Sequence, residues 1–548
     1  HILFLSVALI LMWRPLGGAE DPTDEEGRDI LFSLDFDESA ATPFDVTNAS
    51  EPFLAEGPVK MSDLRFSDPG RIRIIEDGRN DTRSLRVERA PDLPTGSVNA
   101  SIVLPVELLR GRRILIEANV KAEDVAQPPN AWNGVEVQLH YATPDDEKWS
   151  QPNNIYGTFG WSRIQCQAMI PEDATEASLT LGLELTSGVA FFDDVRIIAA
   201  GRRRASGLEN ASGNEEPVYK GHDLPRLRGA MIGPHVDAED LRVFGGEWNA
   251  NHVRWQFIWG GFPHGPGDTA EPDEYLDWID SQIERLDSLL PVCRENGIMV
   301  VIDVHTPPGG RNDASQCRVF HEKKYQDAFL ETWERIAIRY KDEPNVWAYD
   351  VMNEPVEGIV PTGLMNWRDV ATAASRRIRA IDPQRAIIVE PGPWGSPDGL
   401  DFFEPLPIEN VVYSVHMYKP HEFTHQGVHD DKTGISYPGE INGLHYDKDV
   451  LREALRPAIE YAEDYNVHIY IGEFSAIRWA PGTSARDYLR DVIDICEEND
   501  WDWAYHAYRE WDGWSVEHGA DRSDRTRESE PNERMRLLLE YFEENEKP

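Results

Sequence analysis

The chain has 548 residues, 40% of them apolar, which is enough for globular folding and too long for one ordinary core. Its 98 acidic residues outnumber 54 basic ones and give a formal net charge of −44. That balance argues against nucleic acid and anionic membrane as partners, because neither attracts a polyanion, and it suits a neutral substrate.

The first residues, Ile2 through Trp13, are almost continuously apolar and are followed by Leu16-Gly17-Gly18-Ala19. Small residues there suit signal-peptide cleavage, and the run is too short for a stable membrane span. Residues 1–19 are therefore expected to be a truncated signal peptide on a secreted or periplasmic protein, with no transmembrane segment elsewhere. Four cysteines (Cys166, Cys293, Cys317 and Cys496) show no Cys-x-x-Cys spacing, so neither a zinc site nor a disulfide framework is expected. Cys293 and Cys496 fall on apolar positions of predicted helices and are expected to be buried thiols.

From residue 29 to about 200 the pattern is all-β. Ile114, Ile116, Ala118 and Val120 alternate with polar residues, as do Val135, Val137, Leu139 and Tyr141, and Leu179, Leu181, Leu183 and Leu185. Such alternation marks half-buried strands, and several in succession predict a β-sandwich. Residues 201–220, without periodicity, read as a linker. Asn48, Asn80, Asn99 and Asn210 begin Asn-x-Ser/Thr sequons. The closing strand Gly188–Ile197, after Trp161-Ser162-Arg163 and Ile170–Ala174, resembles the jelly-roll carbohydrate-binding modules. That resemblance implies sugar binding, with Trp132, Trp149, Tyr156 and Trp161 as a stacking platform. It also implies a structural calcium, for which Asp193 and Asp194 are the nearest acidic pair.

Residues 221–548 change to strands alternating with helices. Strands are predicted at 227–232, 252–258, 298–304, 346–353, 386–390, 411–417, 468–472 and 501–508. Helices are predicted near 273–296, 322–342, 364–381, 447–465, 484–498 and 531–545. Eight strands in repeated βα units predict a (β/α)8 barrel, and no Gly-x-Gly-x-x-Gly follows the first strand to favour an open doubly wound sheet. The fold class is thus multidomain, an N-terminal sandwich followed by a barrel.

In such a barrel, chemistry sits at the strand C-termini. Arg254 lies on the second strand, His305 ends the third, and Asn353 and Glu354 end the fourth in Asn-Glu-Pro. His416 and Tyr418 end the sixth, Glu473 ends the seventh, and Trp511 and Trp514 follow the eighth. Glu390, ending the fifth, is a competing carboxylate with Trp394 beside it, and Asp303 shares a face with His305. His421, His425 and His429 lie in a soft loop and read as solvated histidines, so no metal site is expected.

This ordered set resembles the family 5 glycoside hydrolases, retaining barrel enzymes that are cellulase-like. The resemblance implies that Glu473 is the nucleophile and Glu354 the acid/base. Retention needs two carboxyls about 5 Å apart in different roles. Glu473 must stay ionised, with Arg254 and Tyr418 as partners, and Glu354 must hold a proton to donate. Asn353 is implied to bind the sugar 2-hydroxyl, His305 and His416 to bind hydroxyls or orient a carboxyl, and Trp511, rather than Trp514, to stack under the ring. The expected activity is an endo-β-1,4-glucanase acting by double displacement. β-Mannanase or exo-acting β-glucosidase activity are the alternatives, and a non-catalytic carbohydrate-binding protein is the rival of another class. The expected partner is a β-linked polysaccharide, the protein is expected to be a monomer, and no cofactor is required.

Overall fold

A computed structural model describes residues 30–34, 36, 64–92, 96–200, 217–260 and 265–547. The predicted signal peptide, the sequons at Asn48 and Asn210, and most of the predicted linker lie outside the described residues.

The N-terminal part comprises β1 (Ile30–Leu34), β2 (Arg65–Phe66), β3 (Ile72–Ile75), β4 (Ser84–Arg89) and β5 (Ser97–Leu104). A short helix α1 (Val106–Leu109) leads to β6 (Arg113–Val125). Then come β7 (Gly134–Ala142), β8 (Glu147–Ser150), β9 (Gly157–Met169), β10 (Glu176–Glu184) and β11 (Gly188–Ala200). One antiparallel sheet runs β9-β6-β11-β4-β3 with β1 also on β11, and the other runs β2-β5-β10-β7-β8. Strand periodicity sends Ile114, Ile116, Ala118 and Val120 from one sheet, and Val137, Leu139, Leu179 and Leu181 from the other, into a single core. Leu185 departs from the expected alternation, because it lies just past β10 with φ +49 and faces solvent.

Trp132 and Trp149 are each 56% exposed on this sandwich, and Tyr156 is exposed too. Trp161 sits elsewhere, on β9. Asp193 and Asp194 are already engaged. Asp193 accepts the Arg79 N–H at 2.9 Å and the Thr82 hydroxyl at 3.0 Å, and Asp194 pairs with the Arg79 guanidinium at 3.3 Å. A cation there would face that guanidinium, so the pair does not fit calcium.

The second part begins with β12 (Arg228–Ile232), α2 (Ala238–Arg242), β13 (His252–Gln256), α3 (Pro272–Glu295), β14 (Met299–Asp303) and α4 (Lys323–Tyr340). It continues through β15 (Val346–Asp350), β16 (Val360–Pro361), α5 (Trp367–Ile381), β17 (Ala386–Val389), β18 (Val411–Met417) and α6 (His421–Thr424). It ends with β19 (Gly439–Ile441), β20 (Leu444–Tyr446), α7 (Lys448–Tyr465), β21 (Ile469–Phe474), α8 (Ser484–Glu498), β22 (Asp502–Tyr508) and α9 (Glu533–Phe542). Strands β12, β13, β14, β15, β17, β18, β21 and β22 close into a parallel barrel, the (β/α)8 architecture that the alternation predicts. The helices follow their sequence signals. α3 opens on Pro272, buries Leu276, Ile279, Ile283, Leu286, Leu290 and Cys293, and stops before Gly297 at φ +62. α5 starts three residues later than predicted because Asn366 caps it, accepting the Asp369 N–H at 2.8 Å. All four cysteines are buried free thiols. No described helix is long and apolar enough to cross a membrane.

At the N-terminal end of the barrel, Asp502 is buried between two histidines, His222 Nε2 at 2.8 Å and His468 Nε2 at 2.7 Å, and accepts the Leu227 N–H at 2.6 Å. Burial alone would raise its pKa, but the charges of His468 and His222 outweigh that and hold it well below the ordinary value. Because the folded pKa is depressed, its stabilisation is complete above the unfolded carboxylate value of about 4 and is lost as pH falls below it. Asp502→Ala is expected to destabilise the barrel by about 3 kcal/mol at neutral pH, because it strands two buried histidines. Urea melts of the two proteins at neutral and at acid pH check this, and the difference should shrink in acid.

Candidate active site

The chemistry-bearing residues meet at the C-terminal ends of the barrel strands. Arg254, from the middle of β13, is fully buried and points up through the barrel. Its Nη1 donates to Glu473 at 2.6 Å, its Nε to Asp350 at 2.9 Å, and its Nη2 to Glu390 at 2.9 Å and to the Asn353 side-chain oxygen at 3.1 Å. Asp303 lies 3.2 Å from the same nitrogen. Burial alone would weaken its hold on its proton, but Asp303, Asp350, Glu390 and Glu473 outweigh burial and keep the guanidinium charged.

Glu473, on β21, is nearly inaccessible. One carboxylate oxygen takes the Arg254 bond. The other accepts the Tyr418 hydroxyl at 2.9 Å and lies 3.2 Å from His506 Nδ1. Burial would raise its pKa, but His416, His506 and Arg254 overcome this and hold it well below the ordinary carboxylate range. Glu473 is therefore ionised. Gly472 beside it leaves room for this crowding, since an added Cβ would stand 2.6 Å from the Ser414 hydroxyl and 3.2 Å from His416.

Glu354 sits just past β15 with φ +48, a left-handed conformation uncommon for glutamate. Its backbone is fixed from both sides. Its N–H donates to Glu390 at 2.8 Å, and its carbonyl accepts the Arg311 guanidinium at 2.7 Å. Its carboxylate lies 2.9 Å from His416 Nδ1 and keeps a side chain 21% open to solvent. One carboxylate oxygen of Glu354, one of Glu473 and a ring nitrogen of His416 lie within 4.8 Å of one another. These three could also hold a metal ion, but the Arg254 guanidinium on Glu473 puts a positive charge where a cation would bind.

The other predicted site residues join this group. Asn353 accepts from Arg254 and faces His305 Nε2 at 3.4 Å, while His305 Nδ1 lies 2.8 Å from Asp303. His416 is buried, yet Glu390, Glu473 and Glu354 around it overcome burial and lift its pKa well above the ordinary histidine value. Trp514 is 7% exposed, and its ring lies 5.9 Å from that of Tyr418 and 5.8 Å from that of His506. Trp511 is 36% exposed and stands one ring further out, edge-on to Trp514 at 5.4 Å. His425 packs edge-on against Trp514, and His421 and His429 stack with it, so these loop histidines are packed side chains as much as solvated ones.

Glu390 is not a free competing carboxylate. It is fully buried between Arg254, the Glu354 N–H and His416. Asp350, Arg311, His506 and Glu510 were not singled out by pattern. His506 Nε2 lies 3.0 Å from Glu510, which completes a Glu473–His506–Glu510 chain. Burial depresses His506, but Glu510 and Glu473 reverse this and lift it to about 10. A lone polar residue in a buried apolar strand was the available signal for His506 and for Asp350. Trp394 is partly exposed on the loop after β17, with Arg311 over its ring at 4.8 Å. Other tryptophans are structural. The indole N–H groups of Trp333 and Trp367 donate to the carbonyls of Val351 at 3.0 Å and Glu390 at 2.8 Å, which steadies the strand ends that carry the carboxylates.

A parallel eight-stranded barrel with two closely spaced carboxylates at its strand ends defines the protein as a barrel glycoside hydrolase. The chain belongs to the cellulase family, glycosyl hydrolase family 5, whose model matches residues 212–547. Among its relatives is endoglucanase C of Acetivibrio thermocellus, 28% identical over 266 residues, covering 44% of this chain and 76% of that protein. Cellodextrinase A of Ruminococcus flavefaciens is 28% identical over 249 residues, covering 44% of this chain and 69% of its own. Among solved structures, Thermotoga maritima Cel5A in complex with cellobiose is 25% identical, with a TM-score of 0.45, covering 57% of this chain and 96% of that one.

Removing the His506 charge takes away one of the groups that keep Glu473 ionised. His506→Asn is therefore expected to move the acid limb of the kcat/KM–pH profile to higher pH, since that limb reports the free enzyme's essential base. An unmoved limb would take His506 out of this role.

Proposed function

We propose that the protein is a retaining endo-β-1,4-glucanase in which Glu473 is the nucleophile and Glu354 the acid/base. The observation that carries this reading is the contrast between two carboxylates whose oxygens approach within 4.8 Å. Their closeness suits direct attack better than the wider gap an inverting enzyme needs for a water. Glu473 is buried among Arg254, Tyr418, His506 and His416, so it stays ionised and aimed. Glu354 keeps a solvent-open edge beside His416, as a group that must take up and release a proton requires.

The reaction follows. Glu354 donates its proton to the leaving glycosidic oxygen while Glu473 attacks the anomeric carbon and forms a glycosyl ester. The negative charge on Glu473 is thereby consumed, and Glu354, now a carboxylate, takes a proton from water that hydrolyses the ester. Asn353, held by Arg254 and His305, is placed to bind the 2-hydroxyl of the sugar being cleaved. Trp514, packed on Tyr418 and His506, lies nearest the nucleophile, and the more exposed Trp511 suits the next sugar along. The endoglucanase names of the relatives support β-glucan as substrate and internal cleavage. The apolar run Ile2–Trp13 supports secretion or a periplasmic site.

Assay on soluble β-glucans, β-mannans and aryl β-glycosides tests the reading. Glu354→Gln is expected to lower kcat/KM on β-glucan by about 10²- to 10⁴-fold, and Glu473→Ala to leave no hydrolysis above background. Azide added to Glu473→Ala should yield the inverted glycosyl azide. Hydrolysis of mannan alone would replace the substrate, release of single terminal units alone would replace the endo action, and full activity of Glu473→Ala would sink the mechanism.

A further inference from the structure

Between Glu354 and α5 the chain leaves the barrel and joins the sandwich. Val360 and Pro361 of β16 pair antiparallel with Arg163 and Ser162 of β9, and the Thr362 N–H donates to the Trp161 carbonyl at 3.0 Å. A segment of the barrel half thus becomes the edge strand of the sandwich's larger sheet. Strand periodicity then sends neighbouring side chains opposite ways. Ile359 packs against the sandwich core, and Val360 is buried in the barrel core. Ion pairs brace the same junction, with Arg163 3.7 Å from Asp369 and Arg113 2.7 Å from Asp401 and 2.9 Å from Glu460.

The tether from Glu354 to this junction, residues 355–359, is short and has no slack. The Pro355 carbonyl accepts the Trp394 N–H at 3.3 Å, and the Val356 carbonyl accepts the Cys317 N–H at 2.8 Å. The Glu357 carbonyl lies 2.7 Å from His321 Nε2, and its carboxylate accepts the Trp367 N–H at 2.5 Å. Gly358 turns the chain at φ +74, where an added Cβ would stand 2.2 Å from the Gln316 side chain. The segment is thus bonded to the barrel at Pro355, Val356 and Glu357 and packed into the sandwich core at Ile359, so Glu354 and the junction lie on one braced stretch of chain. Glu354, at its start, has its φ of +48 fixed by backbone contacts.

We propose that the sandwich is a positioning element for the acid/base: pairing of β16 with β9, with Ile359 as its plug, sets the backbone from which Glu354 reaches the leaving oxygen. Glu473, on β21, stands beyond Glu354, Glu390 and Arg254 from this junction and takes its own side-chain supports from Arg254, Tyr418 and His506. The proposal rests on the reading of Glu354 as acid/base, and it gives the N-terminal domain a role in the chemical step that does not depend on its binding sugar.

A general acid matters most when the leaving group is poor. Full-length Ile359→Ala and Arg163→Ala are therefore to be compared with wild type on phenyl and dinitrophenyl β-cellobiosides, with thermal melts recorded for each. The expected result is a kcat/KM roughly tenfold lower on the phenyl glycoside for Ile359→Ala, a smaller loss for Arg163→Ala, and values within about twofold of wild type on the dinitrophenyl glycoside. This is a mild copy of the split that Glu354→Gln should show. Loss of folded enzyme alone would lower both substrates equally, and the half-exposed Arg163 keeps the comparison available if Ile359→Ala folds poorly. Equal losses on both glycosides, or no loss in either variant, overturn the proposal. If wild type cleaves the dinitrophenyl glycoside and Glu354→Gln shows no leaving-group split, the acid/base reading falls, and the proposal with it.

Discussion

One buried guanidinium organises the upper half of the barrel. Arg254 is the common partner of Asp303, Asp350, Glu390, Glu473 and the Asn353 side chain, which come from four different strands or strand ends. Without it, four carboxyl groups would crowd a dry pocket, where each charge costs several kcal/mol unless paired. Its planar fork offers donors in several directions at once, which a lysine ammonium on a flexible stem would not hold in place. Closing the barrel and ionising Glu473 are thus two results of one interaction. The opposite end of the barrel solves the same problem with reversed signs, where one carboxylate, Asp502, is shared by two histidines.

Around that centre the charges are graded. Glu473 is surrounded by Arg254, His416 and His506, and its ionisation follows from their combined field. Burial and the neighbouring acids, opposed by Arg254, push Asp350 well above the carboxylate range. The cluster thereby keeps a proton away from Glu473. Glu390 acts through geometry. It binds Arg254 with one oxygen and the Glu354 N–H with the other, so it links the two halves of the site mechanically.

The barrel was legible because its signal is local and repeated. Each strand is a short apolar run, the long helices carry apolar stripes, and eight strands in one repeating pattern leave little choice of architecture. The candidate site was legible as polar residues at strand ends, since Arg254, Asn353, Glu354, His416, Tyr418 and Glu473 do come together there. What escaped was set by three-dimensional neighbourhood. Glu390 ends a strand as Glu354 and Glu473 nearly do, and only its place in space, bridging Arg254 and the Glu354 N–H, separates it from them. His506 looked like a stray polar residue in an aromatic strand until Glu473 and Glu510 appeared on either side of its ring. Trp511 and Trp514 are three residues apart in one loop, and the order in which they approach Tyr418 depends on how that loop folds.

The two glutamates are held by different means, and the difference matches the roles proposed for them. Glu473 is gripped through its side chain by charged and hydrogen-bonding partners, which fix both its ionisation and its aim. Glu354 is instead held through its backbone, by Glu390 at its N–H and Arg311 at its carbonyl, and beyond Pro355 by a tether that ends in the sandwich. Its carboxyl meets His416 on one side and keeps an edge open to solvent. A backbone constraint of that kind needs rigid anchors at both ends, and in this chain the second anchor lies in the other domain.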